Sequence, residues 1–261
     1  MREHLAVAAD AAVKAGKVLR DNVSGIRNIS YKGEINLVTE MDRLSEKTVV
    51  DTILRAFPRH GILAEEDARI ESESGYLWVI DPLDGTTNYA HGYPNFSVSI
   101  GLEHKGEVVV GVVYDPMRDE LYTAQKGQGA FLNGNPIIVS KHDTLIRSLL
   151  ATGFPYDRTT SAENNLNYFN ALIMASQEVR RSGSASLDLC NLAAGRLDGY
   201  WELKLQPWDV AAGSLIVREA GGTVTDFSGK RSSIRDKEVV ASNGRIHEQI
   251  LEIIERARHH A

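Results

Sequence analysis

The chain has 261 residues, 43% of them hydrophobic and 25% charged, and a formal net charge of −6. That length allows one large domain or two small ones sharing an interface, and the acidic balance argues against a nucleic-acid backbone as the main partner, because phosphate neutralisation needs a basic face. A small anionic substrate stays open, since a metal can supply local positive charge. The single cysteine, Cys190, excludes an intrachain disulfide and points to a reducing, cytoplasmic setting. No apolar run approaches the roughly 20 residues that span a bilayer, so no membrane role is expected. The opening MREHLAVAADAAVKAG is amphipathic and lacks the apolar core of a signal peptide. The closing ARHHA is given no role.

In chain order, Leu5, Ala8, Ala9, Ala12, Gly16 and Leu19 share one face of a helix expected over 3–22. A second helix fits 40–57, with Val50, Ile53, Leu54 and Phe57 inward and Pro58 ending it. YLWVI, residues 76–80, reads as a short buried strand. From 95 to 140 the period becomes two: a pair of strands meets at Lys105-Gly106, and the pattern continues to a turn at Asn133-Gly134. Helices are expected at 161–176 and at 184–195, the latter stopped by Gly195. Then follow a strand at 198–203, a helix at 209–220 ending at Gly221-Gly222, short strands at 223–227 and 237–241, and a last helix at 245–258. The fold class is layered α/β, with a division between an N-terminal half, 1–145, and a C-terminal half, 146–261, forming one compact unit.

The chemistry concentrates in acids. In DPLDGTT, Asp81 ends an apolar strand, Pro82 cannot donate to a ladder, and Gly85 lets backbone N–H groups approach a ligand. An isolated DxxDG is more often an Asp-rich turn. Its company changes the reading. Glu65 and Glu66 follow an apolar triplet at another strand end, where paired glutamates alone would be a solvated surface. Asp209 opens an apolar helix in PWDVAAGSLIVREAGG, where a helix N-cap is the bland role. Asp42 in LVTEMD has a capping acid as its bland role. Carboxylates converging in one pocket repel, and a hard divalent cation resolves the repulsion. Oxygen-only donors, with no His or Cys at ligand spacing, point to Mg²⁺, Mn²⁺ or Ca²⁺ and not to zinc. An EF-hand fails, because Thr86 and Gly92 stand where a loop counted from Asp81 needs Gly and Glu. The aspartyl-nucleophile pattern DxDxT fails by one residue, and there is no GxxxxGK[ST].

WVIDPLDGTTNYAHGYPNFSVSIG resembles the signature of the inositol monophosphatase family, and PWDVAAGSLIVREAGG resembles its second signature. AEED, LVTEMD and RRSGSASLDLCNLAAGRLDGYWE match in the expected order, so the resemblance covers essentially the whole chain. It implies the αβαβα sandwich shared with the fructose-1,6-bisphosphatase type, a homodimer, and Mg²⁺-dependent, lithium-sensitive phosphatase activity. Two to three Mg²⁺ ions are implied, with Mn²⁺ as a substitute and Li⁺ and Ca²⁺ as inhibitors. Glu65, Asp81 and the carbonyl of Leu83 would bind the first metal; Asp81, Asp84 and Asp209 would bind the second; a third would sit near Glu65. Thr86, supported by Asp42, would orient a metal-activated water for direct attack on phosphorus, with Glu65 counted in the catalytic set. The N–H groups of Gly85 and Thr86 would hold the phosphate, beside Asp84 and Asp209. Gly183, Ser184 and Ala185 match the polyol-contacting loop, and Glu202 stands where the family binds a substrate hydroxyl.

The expected partner is a small phosphorylated polyol, foremost inositol 1-phosphate. Fructose 1,6-bisphosphate or another sugar phosphate on the same site is the alternative. Arg180 and Arg181 fit a second phosphate, a subunit contact or plain surface. A regulatory protein-binding role is the alternative from another class, without direct nucleic-acid contact. Five placed carboxylates argue against a pure binding module.

Overall fold

Helical periodicity at the N-terminus becomes α1 (Arg2–Asn22), whose buried side is a seam of small residues, Ala8, Ala11, Ala12, Ala15 and Gly16, ending at Leu19. The computed structural model describes residues 1–23, 29–31 and 37–258, with 29–31 and 37–39 described by backbone alone. The closing His259, His260 and Ala261 of ARHHA lie outside them. A small antiparallel ladder pairs β1 (Ile29–Tyr31) with β2 (Leu37–Thr39), and α2 (Glu40–Ala56) follows.

The period-two segments build an eight-stranded sheet from β3 (Gly61–Ala64), β4 (Arg69–Ile70), β5 (Tyr76–Asp84), β6 (Ser97–His104), β7 (Glu107–Asp115), β8 (Glu120–Gln125), β9 (Ala130–Leu132) and β10 (Asn135–Ile137). Its order is β10-β9-β8-β7-β6-β5-β3-β4, and the β3–β5 pair is parallel among otherwise antiparallel neighbours. A five-residue helix, α3 (Thr86–Ala90), follows β5. The second sheet comes from β11 (Leu149–Thr152), β12 (Glu178–Arg180), β13 (Gly199–Leu203), β14 (Thr223–Thr225) and β15 (Glu238–Ser242), in the order β12-β11-β13-β15-β14. Helices α4 (Leu166–Ala175), α5 (Ala185–Ala193), α6 (Pro207–Glu219) and α7 (His247–Arg258) alternate with its strands.

Strand alternation decides the layering. On β5, Trp78 and Ile80 face α1 and α2, while Val79 faces the core that holds α5 and α6. On β13 and β15, Tyr200, Val239 and Ala241 join that middle core, while Trp201 and Val240 face α4 and α7. The result is α(1,2)–β–α(5,6)–β–α(4,7), the expected αβαβα sandwich. Helix α6 lies very close to the first sheet: a Cβ on Gly101 would stand 2.8 Å from Ala211 Cβ, and one on Gly111 2.8 Å from the Ala212 carbonyl. That close approach carries the first turn of α6 to the end of β5. Among the described residues, no helix is long and apolar enough to cross a membrane.

Several boundaries differ from the sequence reading. β5 does not end at Ile80. Asp81 pairs with Ser99 and Asp84 with Ser97, so a bulge absorbs Pro82 and Leu83 and the ladder resumes. The helix expected from 161 begins at Leu166, because Asn165 adopts a left-handed backbone (φ 74) and is buried. Its amide donates to Thr152 Oγ1 at 2.8 Å and accepts from Trp201 Nε1 at 2.8 Å. The short strands β11 and β12 were not anticipated: at four and three residues, they are too brief to show a period.

The α1–α2–sheet edge holds a cluster of five stacked rings: His4, Phe57, His60 and Tyr76 lie with centroids 4.5 to 5.4 Å apart, and His104 stacks on Tyr76 at 4.2 Å. Trp78 Nε1 donates to His60 Nδ1 at 3.0 Å, which requires a neutral ring, and His4 Nδ1 is buried with no partner among the described residues. Burial, and then the charged neighbours, lowers the pKa of both His4 and His60. A histidine pKa lowered on folding means that the unfolded chain binds more protons below about pH 6.5. This stability is therefore full above that value and lost as pH falls through it. Acids that burial holds protonated to higher pH shift stability the other way over the same range, so the readout is the difference between parent and variant. In melting curves from pH 8 to pH 5, His4→Phe should lose less stability than the parent, and parallel curves would remove His4 from the account.

Candidate active site

The acids meet through strand register. Ala64 of β3 pairs in parallel with Ile80 of β5, and Glu65 N donates to Ile80 O at 3.1 Å, so Glu65 lies beside Asp81. The bulge turns Asp84 toward α5. Its Oδ2 accepts from Ser184 Oγ at 2.6 Å, Ser186 N at 2.8 Å and Ser186 Oγ at 2.5 Å. Asp209 is not the opening residue of its helix, as expected, but lies in its first turn. Gln206 is the N-cap, and Asp209 Oδ2 accepts the Gln206 N–H at 2.6 Å in a capping box. The capping role and a place in the site therefore coexist.

These residues line one cleft of about 510 Å³, with Glu65, Asp81, Leu83, Asp84, Gly85, Thr86, Glu202 and Asp209 on its wall. A smaller adjoining lobe of about 110 Å³ holds Gly183, Ser184 and Ala185, again with Glu202. Asp42 sits behind the wall at 1% exposure and accepts from Thr86 Oγ1 at 3.0 Å; the Leu83 carbonyl lies 3.1 Å from the same hydroxyl. Twelve of the residues singled out from the sequence thus come together around one concavity, and Arg181 lines its smaller lobe; Glu66 and Arg180 line neither lobe. Gly85 (φ 98) is required at its turn, since a Cβ there would meet Asn95 O at 3.0 Å and Gly183 O at 3.2 Å.

The electrostatics show what the cleft is built to hold. Burial, then repulsion from Glu65, Asp84 and Asp209, holds the Asp81 carboxyl well above the usual range. Burial raises Asp84 too, opposed by its serine donors. Asp209 is pushed up to about 8 by burial, against its bond from Gln206. Burial raises Glu202 to about 7, although the Tyr200 hydroxyl bonds to it. Buried acids held so close call for a cation. Among the described residues, no three His, Cys, Asp or Glu side chains form a ready-made metal cage. The donors fit Mg²⁺ nonetheless: all are oxygens, one is a carbonyl, and Mg²⁺ keeps several waters and takes a few carboxylates plus substrate phosphate.

Other residues that build the site carried no signal in the sequence. Ser45 Oγ donates to Pro82 O at 2.6 Å, tying α2 to the bulge. The buried Glu46 carboxylate accepts the N–H groups of Glu66, Asp67 and Ala68 at 2.9, 2.9 and 2.8 Å, fixing the loop after Glu65. Gly153 leaves room for Glu202, whose Oε1 would lie 2.1 Å from a Cβ there. Asp188, raised to about 8 by burial, accepts from Ser182 Oγ at 2.6 Å and lines the smaller lobe. Ser186 stood within the quoted SGSAS run, but its bond to Asp84 spans 102 residues. Glu46→Ala should cost about 3 kcal/mol, because three partly buried donors lose a charged acceptor. Urea unfolding of metal-free protein measures this, and a loss within 0.5 kcal/mol (about the scatter of surface substitutions) would refute it.

Known proteins share this architecture. The model of the inositol monophosphatase family matches residues 1–259. The inositol-1-monophosphatase of Synechocystis sp. is 46% identical over 248 residues, 94% of this chain and 86% of that protein. Nus factor SuhB of Escherichia coli is 44% identical over 249 residues, 94% of this chain and 93% of the relative. The solved inositol monophosphatase from Anabaena (Nostoc) sp. superposes with a TM-score of 0.90 at 45% identity, over 98% of this chain and 96% of that one. The protein is thus a phosphatase, a hydrolase of phosphoric monoesters. The chain belongs to the inositol monophosphatase family.

Proposed function

We propose that the chain hydrolyses a small polyol phosphate, foremost inositol 1-phosphate, by direct attack of water. The observation that carries this reading is the cluster of buried, mutually repelling acids beside Glu202 in one cleft. Two to three Mg²⁺ ions, held by Glu65, Asp81, the Leu83 carbonyl, Asp84 and Asp209, would neutralise these acids and the phosphate and lower the pKa of water.

The chain's own groups do the rest. Thr86 Oγ1 has one proton and two acceptors in reach, Asp42 Oδ1 and Leu83 O. A proton pointed at Asp42 leaves the oxygen's lone pairs to accept from the attacking water and orient it. The N–H groups of Gly85 and Thr86 hold the phosphate. The new water–phosphorus bond forms in line as the ester P–O bond breaks; the attacking water gives up a proton to solvent, and the departing alkoxide takes one up from solvent. Glu202, half-buried and fixed by Tyr200, accepts from ring hydroxyls, with the Gly183–Ala185 loop opposite. The reading carries with it a homodimer, a cytoplasmic location, Mn²⁺ as a substitute metal, and Li⁺ and Ca²⁺ as inhibitors.

Phosphate release tests it. Inositol 1-phosphate is assayed with and without Mg²⁺ and across a lithium titration, with fructose 1,6-bisphosphate beside it. Release that needs Mg²⁺ and falls with lithium is expected from the inositol ester. Release from the bisphosphate alone would move the substrate and keep the site. A second reading is favoured by the name Nus factor carried by several relatives, which points to a regulatory protein-binding role. Rescue of a deletion strain by a folded, inactive variant would favour that role.

A further inference from the structure

A second cleft, of about 470 Å³, lies away from the acids, between the β6–β7 turn, the C-terminal end of α6 and residues 231–234. Val108, Leu215 and Ile234 give it an apolar wall, and Lys126, Arg218 and Arg231 line its rim. The carboxylates there are already engaged. Glu219 accepts three main-chain N–H groups, from Gly127, Gln128 and Gly129, at 2.8, 3.0 and 2.8 Å. Glu107 is shared by two cations, Lys126 and Arg231, the latter at 3.4 Å.

Arg218 has no carboxylate partner among the described residues. Its Nη2 donates only to main-chain carbonyls, Ser232 O at 3.0 Å and Val224 O at 3.5 Å. As a brace between α6 and β14 it would do its work alone. Yet a second guanidinium, Arg231, stands close enough to disfavour its charge, after burial itself. Three cations against two engaged carboxylates make a local positive excess in a chain of net charge −6.

We propose that this cleft is a second binding site, for a small organic anion that sets a phosphate, sulfonate or carboxylate between Arg218 and Arg231 and lays an apolar body on Val108, Leu215 and Ile234. Its volume is that of an ordinary small-ligand pocket, and its few polar groups stand beside an apolar wall, as such pockets require. The proposal is independent of the substrate reading, because it shares no residue with the acid cleft.

The test uses 1-naphthalenesulfonate as probe and calorimetric titration of the whole chain in chelator. Without divalent ions the acid cleft repels anions, so binding there does not interfere. The expected dissociation constant is about 1 mM or tighter, weakening with added salt. Arg231 and Lys126 are exposed (72% and 49%), so Arg231→Gln and the double variant Arg231→Glu, Lys126→Glu should fold as the parent does. The single variant should weaken binding about fivefold, worth roughly 1 kcal/mol, and the double should abolish it. Asp84→Asn should bind as the parent does. No binding by the parent chain, or equal binding by the double variant, overturns the proposal.

Discussion

Asp84→Asn is expected to lower turnover by on the order of 10³-fold while leaving the fold intact. The two halves of that expectation rest on different atoms of one side chain. Asp84 Oδ2 holds the start of α5 by accepting from Ser184 Oγ, Ser186 N and Ser186 Oγ. An asparagine carbonyl oxygen accepts the same three bonds, so the local geometry survives. What disappears is a negative charge in the wall of the acid cleft. With it goes part of the repulsion that raises Asp81, so the metal-free variant should melt no lower than the parent chain. Turnover and metal-free melting temperature together separate the outcomes. A folded variant with full turnover would end the assignment of Asp84 to the chemistry.

Gly85→Ala should lower both turnover and stability. The residue sits at φ 98 and ψ 35, a left-handed conformation that costs a side-chain-bearing residue about 1–2 kcal/mol. The added Cβ would also press on two carbonyl oxygens, of Asn95 and Gly183, at 3.0 and 3.2 Å. Neither is a flexible side-chain end, so the turn itself must shift. Asp84 and Thr86 flank it, and a displacement near 1 Å at a reacting centre costs on the order of 10²-fold in rate. Rate and melting temperature should fall together here, unlike in Asp84→Asn. A variant that kept its rate would show that the Gly85 and Thr86 amides do not position the phosphate.

The acids were legible because each lies in a short, local pattern. Asp81 and Asp84 end a continuous apolar run, Glu65 ends another, and Asp209 stands at the start of a strongly apolar run. The αβαβα order was legible through the family resemblance and from periods that run long enough to count, as in α1, β6 and β7. The continuation of β5 through Pro82 was not, because a bulge depends on what the partner strand offers opposite. β11 and β12 were missed because a strand of three or four residues shows no alternation that a loop could not.

What the sequence determined by itself is the set of donors and the local conformations that aim them: apolar runs that must be buried, a proline and a glycine that limit the backbone, a helix start that orients Asp209. What only the tertiary structure decided is which distant groups complete them. Glu46 reaches the Glu66–Ala68 amides across 20 to 22 residues, Ser186 reaches Asp84 across 102, and Gly153 clears a space for Glu202. Such pairs leave no period in the chain. Hydrogen bonds and steric room are fixed by atoms meeting at about 3 Å, and the packing of the two sheets around α5 and α6 is what sets those meetings.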